Sequence, residues 1–109
     1  MGIGFKHYVK YIDKHVWSGG VKVEILKPAK AGTMESNDIY IVVQPNDKAG
    51  IELQLDSIVI KQFGKQIEKV IKDKLMELGV ENIIISANDR GALDYTIKAR
   101  VETAVKRAI

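Results

Sequence analysis

A chain of 109 residues with 46% hydrophobic and 28% charged residues suits one domain with one modest core, and it is too short for a large enclosed active site. It contains no Cys, which excludes disulfides, thiolate nucleophiles and Cys-based zinc sites and makes a reducing cytoplasm the expected compartment. The net charge of +3 is concentrated: residues 1–20 hold Lys6, Lys10 and Lys14 against Asp13, which leaves 14 basic and 13 acidic groups in residues 21–109, a nearly neutral body that argues against nucleic acid as a partner.

Phe5, Tyr8, Val9, Ile12 and Val16 recur at helical spacing with the lysines displaced from them, which predicts a short amphipathic helix ended by Ser18-Gly19-Gly20. This stretch also holds four of the seven aromatic residues. Residues 1–20 are therefore read as an appended or flexible extension, and 21–109 as the folded domain. His7 and His15, eight apart, read as surface histidines and not as a metal pair. Lys6, Lys10, Asp13 and Lys14 interrupt any secretory signal, and no apolar run approaches the roughly 18 residues of a membrane span, so neither export nor a membrane is expected.

From Val21 the pattern changes to period two, and Val23 and Ile25 alternating with Lys22 and Glu24 predict a strand over 21–27 that Pro28 ends. Residues 29–37 read as a loop, followed by a strand over 38–45 with Ile39, Ile41 and Val43 facing inward. After the turn residues of 45–50 the stretch Ile51-Glu52-Leu53-Gln54-Leu55-Asp56 alternates without a fault, so three strands are expected to form an antiparallel meander. A helical period then runs over 58–78, capped by Asp56 or Ser57 and closed by Gly79, with Val59, Phe63, Ile67, Val70, Ile71, Leu75 and Leu78 on its apolar side. Ile83-Ile84-Ile85 lies in a more central strand over 82–88, and Asn88-Asp89-Arg90-Gly91 forms the turn that leaves it. The last helix, 91–107, carries the stripe Leu93, Ile97, Val101 and Val105 with Ala104 and Ala108 beside it. The fold class is α+β: a two-layer sandwich in which a mainly antiparallel four-stranded sheet carries two helices on one face, in the order β-β-β-α-β-α.

The body offers little for catalysis, because Cys is absent, both histidines lie in residues 1–20, and no Gly-rich phosphate loop or metal-ligand cluster is present. Asp89, Asp94 and Glu102 are read as solvated carboxylates in a turn and on a helix surface. The remaining candidate is Ser36, in Ala31-Gly32-Thr33-Met34-Glu35-Ser36-Asn37-Asp38 at the tip of a connection between two strands. On residue type alone it is a turn serine.

The runs AGTMESNDIYI, IELQLDS, KQFG, ELGVEN and DRGALDYTIKARVETAV resemble the acyl carrier (gamma) subunit family of citrate lyase along residues 28–109. The resemblance implies a non-catalytic carrier whose Ser36 is esterified to phosphoribosyl-dephospho-coenzyme A by a prosthetic-group transferase. It further implies that the citrate lyase alpha and beta subunits are the partners that act on the acetyl and citryl thioesters of the arm. Gly32 keeps the backbone near Ser36 permissive, and Lys30 is placed to screen the phosphodiester. Asp56-Ser57-Ile58 mimics the Asp-Ser-Leu attachment signature of helical-bundle carriers, but it follows an alternating strand and precedes a helix, so Ser57 is read as an N-cap. This chain has Ser57-Ile58-Val59-Ile60 where the family commonly has Ser-Ser-Val-Glu, which removes the glutamate of a capping box at Ile60. Two other readings are kept open: the related acyl carrier of malonate decarboxylase, and a small nucleic-acid-binding module, for which the strands supply only Tyr40 as a stacking residue.

Overall fold

The structure, a computed structural model, describes residues 6–12 and 21–109. Its elements run β1 (Lys6–Ile12), β2 (Ala29–Ala31), β3 (Ile39–Gln44), β4 (Ile51–Ser57), α1 (Ile60–Leu78), β5 (Ile83–Asp89) and α2 (Asp94–Arg107). The five strands form one sheet in the order β1-β4-β5-β3-β2.

Period-two sequences give strands with one face buried. Ile39, Ile41 and Val43 of β3, Ile51, Leu53 and Leu55 of β4, and Ile83, Ile85 and Ala87 of β5 all point into a single core. Both helices cover that face, α1 over β4 and α2 over β2 and β3, and they pack on each other. From α1 come Ile67, Val70, Ile71 and Leu75, and from α2 come Ile97, Val101, Ala104 and Val105. The predicted α+β sandwich with both helices on one face is therefore what forms.

The pairing corrects the meander. β5 lies between β3 and β4, antiparallel to β3 and parallel to β4, so the sheet is mixed and β4-α1-β5 is a crossover unit. Local alternation fixes which face of a strand is buried but carries no information about its neighbour.

The first strand is also corrected. Residues 21–27 form no strand beyond one bridge between Val23 and Val80; β2 instead begins at Ala29, within the expected loop. The alternation is real, since Ile25 is buried while Lys22, Glu24 and Leu26 are exposed. The backbone donors of this extended segment are satisfied by helix ends: Val23 N–H donates to Gly79 O, and Leu26 and Lys27 N–H both donate to Ala108 O. It thus closes the open carbonyl ends of both helices.

Residues 6–12 form the edge strand β1, antiparallel to β4 with Tyr8 opposite Leu55, so the predicted helix does not form there. Its remaining positions, Phe5 and Val16, and the Ser18-Gly19-Gly20 joint lie outside the described residues. The end of α1 is as predicted. Gly79 adopts φ 83° and donates to Met76 O at 3.1 Å while Val80 donates to Leu75 O at 2.9 Å, the two bonds of a Schellman motif, with Leu75 and Val80 both fully buried.

Candidate functional site

Ser36 lies in the exposed loop between β2 and β3, and among the described residues its hydroxyl has no hydrogen-bond partner. The loop around it is tightly held. Gly32 has φ 89°, and a Cβ there would collide with the carbonyl oxygen of Ile39, so the β2 end of the loop requires glycine. Asn37 follows Ser36 in the left-handed region at φ 66°, a conformation asparagine tolerates.

Asp38 anchors the loop to the body. Its carboxylate accepts from Arg100 Nε at 3.0 Å and Nη2 at 3.2 Å, from the Thr33 hydroxyl at 2.8 Å and from the Ile39 amide at 2.7 Å. The Thr33 hydroxyl in turn accepts from the Glu35 amide at 3.1 Å. The Arg100 hydrogen bond, supported by Thr33 and Ile39, outweighs the opposing effect of burial and lowers the Asp38 carboxyl from 3.8 to about 2. On the other side Asn37 N–H donates to Arg90 O at 2.8 Å, Arg90 N–H donates to Asp38 O at 2.9 Å, and Arg90 Nε donates to Met34 O at 3.3 Å. An exposed, accessible hydroxyl thus stands on a backbone pinned at both flanks.

Ser57 differs in every respect. It ends β4 and is fully buried, its hydroxyl donating to Asp89 Oδ2 at 2.8 Å and accepting from the Val59 amide at 3.1 Å. It is not the N-cap expected from sequence; α1 starts three residues later at Ile60, its N-cap is Val59, and no side chain caps it. Asp89 also departs from expectation, being buried and accepting from Ala92 N–H at 3.0 Å as well as from Ser57. Asp94 accepts from Gln66 Nε2 at 3.1 Å on the surface. Glu102 holds an ion pair with Lys106 at 2.7 Å and another with Lys74 at 3.0 Å; these, Lys106 first, lower its carboxyl from 4.5 to about 2, so it is a structural anion and not a proton donor. Lys30 is exposed beside the loop, and its carbonyl accepts from Arg107 Nη1 at 2.9 Å.

Beyond Gly91 the same end of the sheet opens into a cavity of about 460 Å³ between the starts of α1 and α2, lined by Val59, Phe63, Ile67, Ala92 and Leu93 among others. Phe63 and Leu93, expected in the core, are 47% and 59% exposed at this opening. Sequence reasoning missed Asp38, Thr33 and Arg100 as supports of Ser36. Asp38 and Arg100 are 62 positions apart, and only the packing of α2 over β3 brings them together.

Ser36 is exposed on its loop, whereas Ser57 is buried. Residues 26–108 match the family model described as malonate decarboxylase delta subunit (MdcD). Over 86 residues, 79% of this chain, the sequence is 55% identical to the citrate lyase acyl carrier protein of Halothermothrix orenii, covering 90% of that protein. It is 54% identical to the one from Streptococcus mutans serotype c over 79% of this chain and 84% of the relative, and 45% identical to citrate lyase acyl carrier protein 2 of Salmonella typhimurium over 79% and 89%. The fold is similar to a chain in the crystal structure of a Pseudomonas malonate decarboxylase hetero-tetramer in complex with malonate, with TM-score 0.75 and 12% identity over 95% of this chain and 99% of that one. Identity and coverage show that this chain belongs to the citrate lyase acyl carrier protein family, a family of carrier subunits.

Proposed function

We propose that this protein is the acyl carrier subunit of a citrate lyase, carrying phosphoribosyl-dephospho-coenzyme A on Ser36 Oγ and presenting acetyl and citryl thioesters to the alpha and beta subunits. The observation that carries the reading is the contrast between the two candidate serines: Ser36 is exposed on a pinned loop, whereas Ser57 is buried and committed to Asp89. An attachment serine must enter a transferase active site, which a fully buried hydroxyl does not do without unfolding.

In this reading the chain contributes position and not chemistry. The thiol of the bound group supplies the thioester, and Asp38, Thr33 and Arg100 keep the loop from collapsing while the acyl group visits two partners. Tethering replaces diffusion with an effective concentration on the order of millimolar for a short flexible link. Residues 1–20 lie outside this machinery and are proposed to be dispensable for it.

The test is coexpression of wild type, Ser36→Ala and Ser57→Ala with the prosthetic-group transferase, followed by intact mass. Wild type and Ser57→Ala are expected to gain the mass of the group and Ser36→Ala none; full modification of Ser36→Ala would refute the assignment. The family-model match favours a second reading, a carrier for malonate decarboxylase. Reconstitution with each set of partner subunits separates the two, because only the matching set turns over its substrate.

A further inference from the structure

We propose that the cavity between the starts of α1 and α2 receives the uncharged acetyl thioester end of the group on Ser36 and leaves the anionic citryl form in solvent. The inference rests on the attachment at Ser36 proposed above and adds a resting site for its far end.

Proximity is the first argument. Ser36 is one residue from Asn37, whose N–H donates to Arg90 O at 2.8 Å, and the next residue, Gly91, lines the cavity. Standard backbone dimensions put the Cα atoms of Ser36 and Gly91 within about 8 Å of each other. A flexible group held that near a cavity meets it at high effective concentration, so even weak affinity fills it.

The lining supplies the second argument. A volume of about 460 Å³ suits a small ligand, and Val59, Phe63, Ile67, Ala92 and Leu93 make the walls mainly apolar. Phe63 and Leu93 leave large apolar surface at the mouth, which an acyl-pantetheine end would cover. Charge then selects between the loaded forms. The charged residues of the lining are Asp89 and Asp94, with no Lys or Arg among them. An acetyl group meets no penalty there, while the citryl carboxylates would lose water and face carboxylates with no cation to pair them.

The chain has no Cys, so the thiol of the attached group is the single thiol for alkylation. The modified, mass-verified protein, uniformly 15N-labelled, is prepared in three forms: acetylated, capped with iodoacetamide (neutral) and capped with iodoacetate (anionic). The amides of Phe63, Ile67, Ala92 and Leu93 are expected to shift in the acetylated and neutral forms and to stay at their unmodified positions in the anionic form. Leu93→Asp, an exposed and foldable change, is expected to abolish these shifts and to speed cleavage of the acetyl thioester by hydroxylamine about threefold, the rise expected if the docked, shielded state holds about two thirds of the population. Arm-loaded protein with no shifts around the cavity, or with equal shifts in neutral and anionic forms, overturns the proposal while leaving the attachment intact. Absence of the added mass from Ser36 overturns both.

Discussion

The Asp38–Arg100 pair gives the sharpest test of how the Ser36 loop is held. Arg100 chiefly, with Thr33 and Ile39, lowers the Asp38 carboxyl from 3.8 to about 2. At 1.36 kcal/mol per pKa unit this linkage contributes about 2 kcal/mol to folding. Because the folded pKa lies below the unfolded one, that stability is fully present above pH 4 to 5 and is lost as the pH falls towards 2. Asp38→Asn removes the titration, so urea unfolding of wild type and variant between pH 7 and 2 should give a stability difference that shrinks by about 2 kcal/mol over that interval. Glu102 titrates in the same window but is present in both proteins and cancels. A difference that stays constant from pH 7 to pH 2 would refute the claim that Asp38 is held as an anion by Arg100. An Arg100→Met cycle with Asp38→Asn at pH 7 should show coupling of the same order, because the two side chains are in direct contact.

Gly32→Ala should destabilise by about 2 kcal/mol or more, since it combines a positive φ with a clash against the Ile39 carbonyl; a thermal midpoint equal to wild type would contradict it. Ser57→Ala should cost about 1 to 3 kcal/mol in urea titrations by taking a buried donor from Asp89, without altering the mass gained at Ser36. Deletion of residues 1–20 removes β1 and uncovers the edge of β4, so the thermal midpoint should fall while Ser36 is still modified; loss of modification would show that the segment docks the transferase.

The faces of β3 and β4 were legible from Ile39, Ile41 and Val43 and from the alternating run Ile51 to Asp56, whereas Ile83-Ile84-Ile85 is a continuous apolar run that marks a strand without marking its face. The parallel insertion of β5 was not legible, since it depends on how α1 crosses the sheet. Val23 and Ile25 show the limit of periodicity: an extended segment laid across helix ends alternates just as a paired strand does. Tyr8, Val9 and Ile12 show the reverse, because aromatic and β-branched residues that fit a helical spacing here occupy a sheet edge. At the site, Ser36 stood out through its AGTMES context, whereas its supports needed the fold. Asp38, one residue before a strand, gives a side-chain turn signal, but nothing in the sequence marks Arg100 as its partner.

The central position of β5 also orders events during synthesis. β3 and β4 leave the ribosome with no pairing between them; β2 and β1 can cover their outer edges, but their inner edges must wait for residues 83–89. A nascent chain ending before residue 83 therefore carries two apolar strands each with an open inner edge, and the sheet closes only when residues 83–89 arrive. Most pairings span long sequence separations, which predicts slow folding for so small a protein. The loop bearing Ser36 is translated early, yet Arg90 and Arg100, which set its shape, come near the end. A transferase that reads the folded loop would therefore act only once Arg90 and Arg100 have been made and packed, and modification itself would report that this part of the fold is in place.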